Sequence, residues 1–182
     1  DHPEVTTFAG SGSQGSTDAT GTSAKFKNPW GITTDGTNLY VSDTTNNMIR
    51  KIVISTGVVT TLAGSTSSGS TNGTGTSARF NYPRAITTDG TNLYVADTNN
   101  HMIRKIVIST GVVTTLAGST SSGSTNGTGT AARFNNPRGI RTDGTNLYVS
   151  DTNNHTIRKI VISTGAVTTL AGYPGSSGST DA

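Results

Sequence analysis

Short stretches of alternating apolar and polar residues run along this chain between clusters of turn residues, and they return at one fixed spacing. The segment Val59-Thr60-Thr61-Leu62-Ala63-Gly64 recurs at 113–118 and 167–172, and as Val5-Thr6-Thr7-Phe8-Ala9-Gly10, each copy 54 residues from the next. Leu39-Tyr40-Val41-Ser42-Asp43 recurs at 93–97 and 147–151, with Ala96 in place of Ser. One unit reads as four short strands. Gly31 to Thr34 is ended by Asp35-Gly36, a pair suited to the positive φ angles of a tight hairpin turn. Asn38 to Ser42 is ended by Asp43-Thr44-Thr45-Asn46-Asn47, whose Asp and Asn side chains bond their own backbone and tolerate left-handed conformations. Met48 to Ile54 closes on Ser55-Thr56-Gly57, and Val58 to Leu62 follows. No stretch keeps a helical period, and Thr, Val and Ile favour extended backbone.

The run Ile52-Val53-Ile54 is apolar without alternation, which predicts a strand covered on both faces. One four-stranded sheet cannot bury two faces alone, so successive sheets must stack. Radial stacking around a channel satisfies this, and an all-β propeller is the architecture predicted. Its blades span 28–64, 82–118 and 136–172, preceded by an extra outer strand at 5–10, in one segment covering 1–182. The Ser/Gly/Thr-rich stretches 10–25, 65–79 and 119–133 are expected to be exposed, flexible connections between blades. Lys51 to Thr76 is identical to Lys105 to Thr130. Such identity implies recent duplication, so most residues in these stretches serve the repeat.

The motifs within each unit carry a resemblance. Asn135-Asn136-Pro137-Arg138-Gly139-Ile140, then Leu147 to Asp151, then Asn153-Asn154-His155-Thr156-Ile157-Arg158-Lys159-Ile160 are similar to the NHL repeat. That family's unit runs approximately as Pro-x-Gly-Ile, a Tyr-Val-Ala-Asp-like strand, then Asn-His-x-Ile-Arg-Lys. Ala85 stands where the pattern has Gly, and Asn47 where it has His. The units are longer than the family's, through the insert 65–77. The resemblance implies a propeller, usually of six blades. It also implies that related lyases and lactonases carry non-repeating His, Asp, Glu or Arg residues around the channel.

Composition adds a test of this reading. Thr, Gly, Ser and Asn make up more than half of the 182 residues, while Leu, Ile, Val and Phe are just under a fifth. That is half of the disorder signature, but the other half is high net charge, and here it is only +3. No Cys is present, so no disulfide framework exists, and no apolar run is long enough to span a bilayer. No basic and then apolar leader opens the chain, so an export signal is expected to be removed or to lie outside it. The Thr/Ser/Gly/Asn bias with sparse Lys and Glu points to an extracellular or cell-surface protein.

Three units cannot close a ring of four to eight blades. The outer-strand copy at 5–10 lacks a blade of its own, and Gly178-Ser179-Thr180-Asp181-Ala182 repeats Gly15-Ser16-Thr17-Asp18-Ala19. Two readings stay open: the chain belongs to a longer array, or two copies close head to tail. Either way the expected partners are other propeller blades, from further repeats or a second copy.

Repeated His and Asp residues read as structural. His101 and His155 share one repeat position, held by Asn47 in the first unit. A metal needs different side chains converging on one point, so a turn hydrogen bond is the expected role and no metal or cofactor is predicted. Asp43, Asp97 and Asp151 read as turn caps, because acid–base catalysis needs paired carboxylates in contrasting environments. Glu4 is the one Glu, and no nucleophile, base and orienting group stand together, so the segment is expected to be non-catalytic.

Departures from the repeat point elsewhere. Trp30 takes the place of Arg84 and Arg138, Arg141 the place of Thr33 and Thr87, and Tyr82 the place of Asn28 and Asn136. Lys25, Arg79 and Arg133 share one position, and Lys27 adds a charge. Together these residues predict a basic rim with two aromatics near the channel mouth. It suits an anionic or aromatic ligand, a protein or a polysaccharide, with Arg pairing anions and rings stacking. Some NHL domains bind RNA through a basic face, but nucleic acid is not expected here. The functional reading is a binding or scaffold module; the alternatives are a structural subunit of a ring or filament, or part of an NHL-like lyase or hydrolase whose catalytic residues lie outside the segment. Asn72, Asn126 and Asn154 fit the glycosylation pattern.

Overall fold

The computed structural model describes residues 2–179, which form three antiparallel sheets, one per 54-residue unit. The first holds β1 (Pro29–Thr34), β2 (Asn38–Asp43), β3 (Met48–Val53) and β4 (Val59–Gly64), paired in that order. The second adds β5 (Gly73–Thr74) to β6 (Pro83–Thr88), β7 (Asn92–Asp97), β8 (Met102–Val107) and β9 (Val112–Gly118). The third adds β10 (Gly127–Thr128) to β11 (Pro137–Thr142), β12 (Asn146–Asp151), β13 (Thr156–Val161) and β14 (Ala166–Ala171). The inner strand β6 packs against both β1 and β11, so the sheets are the blades of an open, partial propeller. Among the described residues no helix is long and apolar enough to cross a membrane.

Turn chemistry sets each register. Asp35 Oδ1 accepts the N–H groups of Thr37 and Asn38 at 2.9 and 2.7 Å, and Gly36 takes φ +90°. The Tyr40 hydroxyl donates to Asp35 Oδ2 at 2.7 Å, and the same network recurs at Asp89 with Tyr94 and at Asp143 with Tyr148. Between the second and third strands of each blade the chain turns through one residue near φ +57°: Asn47, His101 or His155. Asn and His accept this left-handed region more readily than bulkier residues do.

The core lies between blades. Tyr40, Ile49 and Ala63 of the first blade meet Phe80, Ile86, Leu93, Val95, Ile106 and Val113 of the second, all buried. Tyr94, Ala96, Ile103 and Ala117 meet Phe134, Ile140, Leu147, Val149, Ile160 and Val167 in the same way. Burying each large apolar side chain contributes about 1.5–3 kcal/mol. Thus each sheet gains its stability from its neighbours.

Three expectations are corrected. Residues 5–10 form no strand, because no third strand stands beside them to pair with. The long connections are exposed at the surface but tied down: Gly75 N–H donates to Gly111 O at 2.9 Å and Arg79 N–H to Thr71 O at 3.0 Å. Residues 73–74 and 127–128 thereby become a fifth strand on the outer edge of the blade that follows. Ile54 lies past the end of β3 and is 39% exposed, so only part of the Ile52-Val53-Ile54 run is covered on both faces. The terminal copy Thr180-Asp181-Ala182 lies outside the described residues.

Candidate functional site

The repeated Asp and Arg form the internal brace of each blade. Arg104 is fully buried and donates through Nη1 to Asp97 Oδ2 at 2.8 Å and to Arg79 O at 2.9 Å. Its Nη2 reaches Thr71 O and Asn72 Oδ1, and its guanidinium lies 5.2 Å from the Phe80 ring centre. The long connection is therefore gripped by an arginine from the third strand. Arg50 and Arg158 repeat the arrangement over Phe26 and Phe134. Asp97 also accepts from Asn81 N–H and Asn100 Nδ2, each at 2.8 Å. Burial pushes its carboxyl up to about 6, against the pull of Arg104 and those donors.

His101 has a structural partner as well: its Nδ1 accepts the Asn136 N–H at 3.0 Å, the role Asn47 Oδ1 plays for Tyr82 N–H at 2.9 Å. Burial lowers the His101 pKa, with Asp151 pulling the other way. Among the described residues no three His, Asp or Glu side chains converge.

The inner strands are different. Trp30, Ile32, Ile86, Arg138, Ile140 and Arg141 line a cavity of about 580 Å³ that spans all three blades and reaches Tyr148 and Ile157. Arg84 lies beside it, its guanidinium 4.8 Å from the centre of the Trp30 ring and 6.0 Å from that of Tyr82. Its Nε is buried without an acceptor, and none of Arg84, Arg138 and Arg141 has a carboxylate partner among the described residues. Burial, and then the nearby Arg138 charge, lowers the Arg84 pKa from its ordinary value. Trp30 is 65% exposed. The arrangement offers cationic donors beside a flat ring, with no acid among the described residues to neutralise them.

The nine predicted rim residues do not gather in one place. Trp30, Arg138 and Arg141 line the cavity, and Arg84 stands at its margin over the rings of Trp30 and Tyr82. Arg79 and Arg133 fold back on their own connections, donating to Ala78 O and Thr76 O and to Ala132 O and Thr130 O. Lys25 lies over Gly15 as those arginines lie over Gly69 and Gly123, and Lys27 holds Asp43 through its backbone N–H at 2.7 Å. None of the four lines the cavity. Asn154 is 7% exposed and its amide donates to Gly123 O and Asp151 Oδ2, so it has no room for a glycan. Asn72 and Asn126 are exposed, their Oδ1 atoms accepting from Arg104 and Arg158. Tyr148 and Ile157 were missed as lining residues because they occupy repeat positions; only the open face of the third blade uncovers them.

Stacked antiparallel blades around an inner-strand wall define a β-propeller. The NHL repeat signature matches residues 134–160, the third unit of the 54-residue period, and the chain belongs to the NHL-repeat family. It is 32% identical over 186 residues to NHL repeat-containing protein 2 of Homo sapiens, covering 90% of this chain and 25% of that protein. The chain spans about a quarter of the length of the NHL repeat-containing protein 2 relatives it matches. Among solved structures, an auxiliary nutrient binding protein from Bacteroides ovatus superposes with TM-score 0.64 at 23% identity, over 83% of this chain and 39% of that one. Virginiamycin B lyase from Staphylococcus aureus gives TM-score 0.54 at 20% identity, over 81% and 43%. These likenesses show the fold.

Proposed function

We propose that these blades form a non-catalytic binding module of an extracellular or cell-surface protein, with the inner-strand wall as its ligand site. One observation carries the reading. Trp30 and Arg141, which depart from the repeat, share one wall with Arg138, and Arg84 stacks on Trp30 at its margin. Arginine without an internal carboxylate favours an anionic partner, and the exposed indole favours a flat or apolar ring face beside it. A protein segment or polysaccharide that carries acidic groups fits both. The wall offers no carboxylate or imidazole to act as acid or base on a bound ligand. The name of the Bacteroides ovatus neighbour, a nutrient binding protein, agrees with a binding role.

Trp30 is the single tryptophan, so its fluorescence reports directly on the wall. Titration with polygalacturonate should change Trp30 emission, and neutral dextran should not. Combining Arg84→Glu, Arg138→Glu and Arg141→Glu should abolish the response while the circular dichroism of the sheets is kept. Binding that survives the three substitutions rejects the wall as the site.

A further inference from the structure

In each blade the buried arginine of the third strand holds one side chain of the long connection, and the first blade differs from the others there. Asp18 accepts Arg50 Nη2 at 2.6 Å and the Thr61 hydroxyl at 3.1 Å through Oδ1, and the Thr61 N–H at 3.0 Å through Oδ2. Asn72 has this place in the second blade, where its Oδ1 accepts Arg104 Nη2 at 2.9 Å and the Thr115 hydroxyl at 3.2 Å. Asn126 does the same for Arg158 and Thr169, at 2.8 and 3.2 Å. The bond from the Thr61 N–H has no counterpart at Asn72 or Asn126, because an amide offers one acceptor oxygen where a carboxylate offers two. Both sites set a carboxylate's donors around an amide.

The next residue changes with it. Asp18 is followed by Ala19 and Asp181 by Ala182, whereas Asn72 and Asn126 are followed by Gly73 and Gly127, the only Asn-Gly pairs in the chain. Glycine has no Cβ to shield its backbone nitrogen, so that nitrogen reaches the preceding side-chain carbonyl more readily than in other residues. Gly73 lies in the two-residue strand β5 at an outer sheet edge, where local opening costs least. Asn72 is exposed, while the guanidinium that donates to its Oδ1 is fully buried and fixed by Asp97.

We infer that Asn72 and Asn126 are self-modifying sites, at which the blade's own donors promote deamidation to the aspartate that the first blade already has. In the first step the Gly73 amide gives its proton to hydroxide and its nitrogen bonds to Asn72 Cγ. Negative charge grows on Oδ1, where Arg104 Nη2 and the Thr115 hydroxyl already donate. The Cγ–Nδ2 bond then breaks, Nδ2 takes a proton from water and ammonia leaves, so a succinimide ring remains. Water adds to Cγ and the bond from Cγ to the Gly73 nitrogen breaks, which restores the backbone and leaves aspartate. The same two donors polarise Cγ in this step, so opening there is favoured over opening at the backbone carbonyl, which gives isoaspartate. The new carboxylate receives Arg104, the Thr115 hydroxyl and the Thr115 N–H, as Asp18 receives their counterparts. Deamidation thus tightens the hold on the connection.

Incubating the 182-residue chain at mildly alkaline pH, folded or unfolded in urea, with peptide mapping by mass spectrometry, tests this. The expected result is conversion at Asn72 and Asn126 in the folded chain, at least as fast as in urea, with aspartate in excess of isoaspartate. Thr115→Val should slow conversion at Asn72 several-fold and leave Asn126 unchanged, since Arg158 and Thr169 serve that site. Asn72→Asp should raise the urea midpoint of the chain. Slower conversion in the folded chain than in urea overturns the inference, as does isoaspartate in excess. A Thr115→Val chain in which Asn72 keeps its rate, or Asn126 slows with it, overturns the part given to the donors. A lowered urea midpoint in Asn72→Asp overturns the fit of the product.

Discussion

Arg50, Arg104 and Arg158 on the third strands, and Arg84, Arg138 and Arg141 on the inner strands, are the same residue type in opposite settings. The first three are fully buried, and each has an aspartate 2.8 Å away, backbone carbonyls to donate to and a phenylalanine beneath. The second three have no carboxylate partner among the described residues and face the cavity wall or its margin. Departures from the repeat divide along the same line. In the core they come with a matched partner: Asn47 does for Tyr82 what His101 does for Asn136, and Asp18 does for Arg50 what Asn72 does for Arg104. On the wall Trp30, Arg84 and Arg138 replace one another, and among the described residues no carboxylate matches the arginines; Arg84 meets only the Trp30 and Tyr82 rings. Compensated change marks a structural position, and uncompensated change marks a surface turned toward something else.

The sharpest way to break this division is to truncate one arginine from each set. Arg104→Ala leaves Asp97 buried without its counter-ion and frees the connection that Arg104 grips. Breaking a buried pair this way costs about 3–5 kcal/mol. Arg138→Ala removes an exposed side chain and should change stability by no more than about 0.5 kcal/mol. Urea unfolding measures both. The loss in Arg104→Ala should also grow as pH rises. Without Arg104, the folded-state pKa of Asp97 lies further above the unfolded value of 3.8, so ionising it disfavours the folded state over that window. Equal losses in the two variants would erase the distinction.

Much of the blade is legible in the sequence, because strand identity here follows from short apolar stretches and Asp-Gly or Asn turns repeated at fixed spacing. Leu39-Tyr40-Val41 and Val59 to Gly64 read directly as β2 and β4. The two-residue strands β5 and β10 did not, since Gly73-Thr74 carries no apolar signal and extends only because the outer strand β9 offers it a free edge. Nor was the burial of Arg104 legible. Arginine in a polar, Lys-flanked stretch reads as surface, and its acceptors come from residues 71, 72 and 79, far earlier in the chain. The wall was legible only in part. Broken repeat positions singled out Trp30, Arg84, Arg138 and Arg141, but the same argument included Lys25, Arg79 and Arg133, which the connections hold to themselves.

Compensation within the core can be tested at a smaller scale. In the third blade Gly139 N–H donates to Ser150 Oγ at 2.7 Å, and a Cβ added at Gly139 would lie 2.6 Å from that oxygen. In the second blade the matching residues are Ala85 and Ala96, a methyl gained on one strand with a hydroxyl lost on the other. Gly139→Ala should therefore cost about 1–3 kcal/mol by overpacking, and Ser150→Ala should restore most of it. Purely additive losses in the double-mutant cycle would mean that the Ala85 and Ala96 pair is coincidence.

A weaker effect separates the first blade from the others. Arg50 meets Asp18 at 2.6 Å, where Arg104 and Arg158 meet Asn72 and Asn126. The Asp18 side chain is 44% exposed, and an exposed ion pair contributes at most about 1 kcal/mol. Asp18→Asn should cost less than that, and the difference should vanish in high salt. A loss that salt does not touch would show that Asp18 works through the Thr61 N–H and hydroxyl instead.

The smallest expected effect lies in the hairpin turns, where carboxylates are shared by every blade but differ in exposure. Burial alone would raise the Asp35 carboxyl, but donors from Asn38, Tyr40 and Thr37 outweigh it and hold the group well below the usual carboxylate range. Asp89 is lowered by the same set from Asn92, Tyr94 and Thr91. Asp143 is lowered chiefly by the Asn146 and Thr145 N–H groups. A depressed folded-state pKa contributes stability that is complete above the unfolded value of 3.8 and fades as pH falls below it toward the folded value. Carboxyl carbon shifts followed by NMR should show all three still ionised near that pH. Tyr40, in turn, is pushed up to about 12, burial first and Asp35 second. Tyr40→Phe should move the Asp35 midpoint upward and leave Asp89 and Asp143 where they were. If the three midpoints moved together, the turns would be coupled through the stacked blades, and the separation between braced core and independent surface would have to be redrawn at each hairpin.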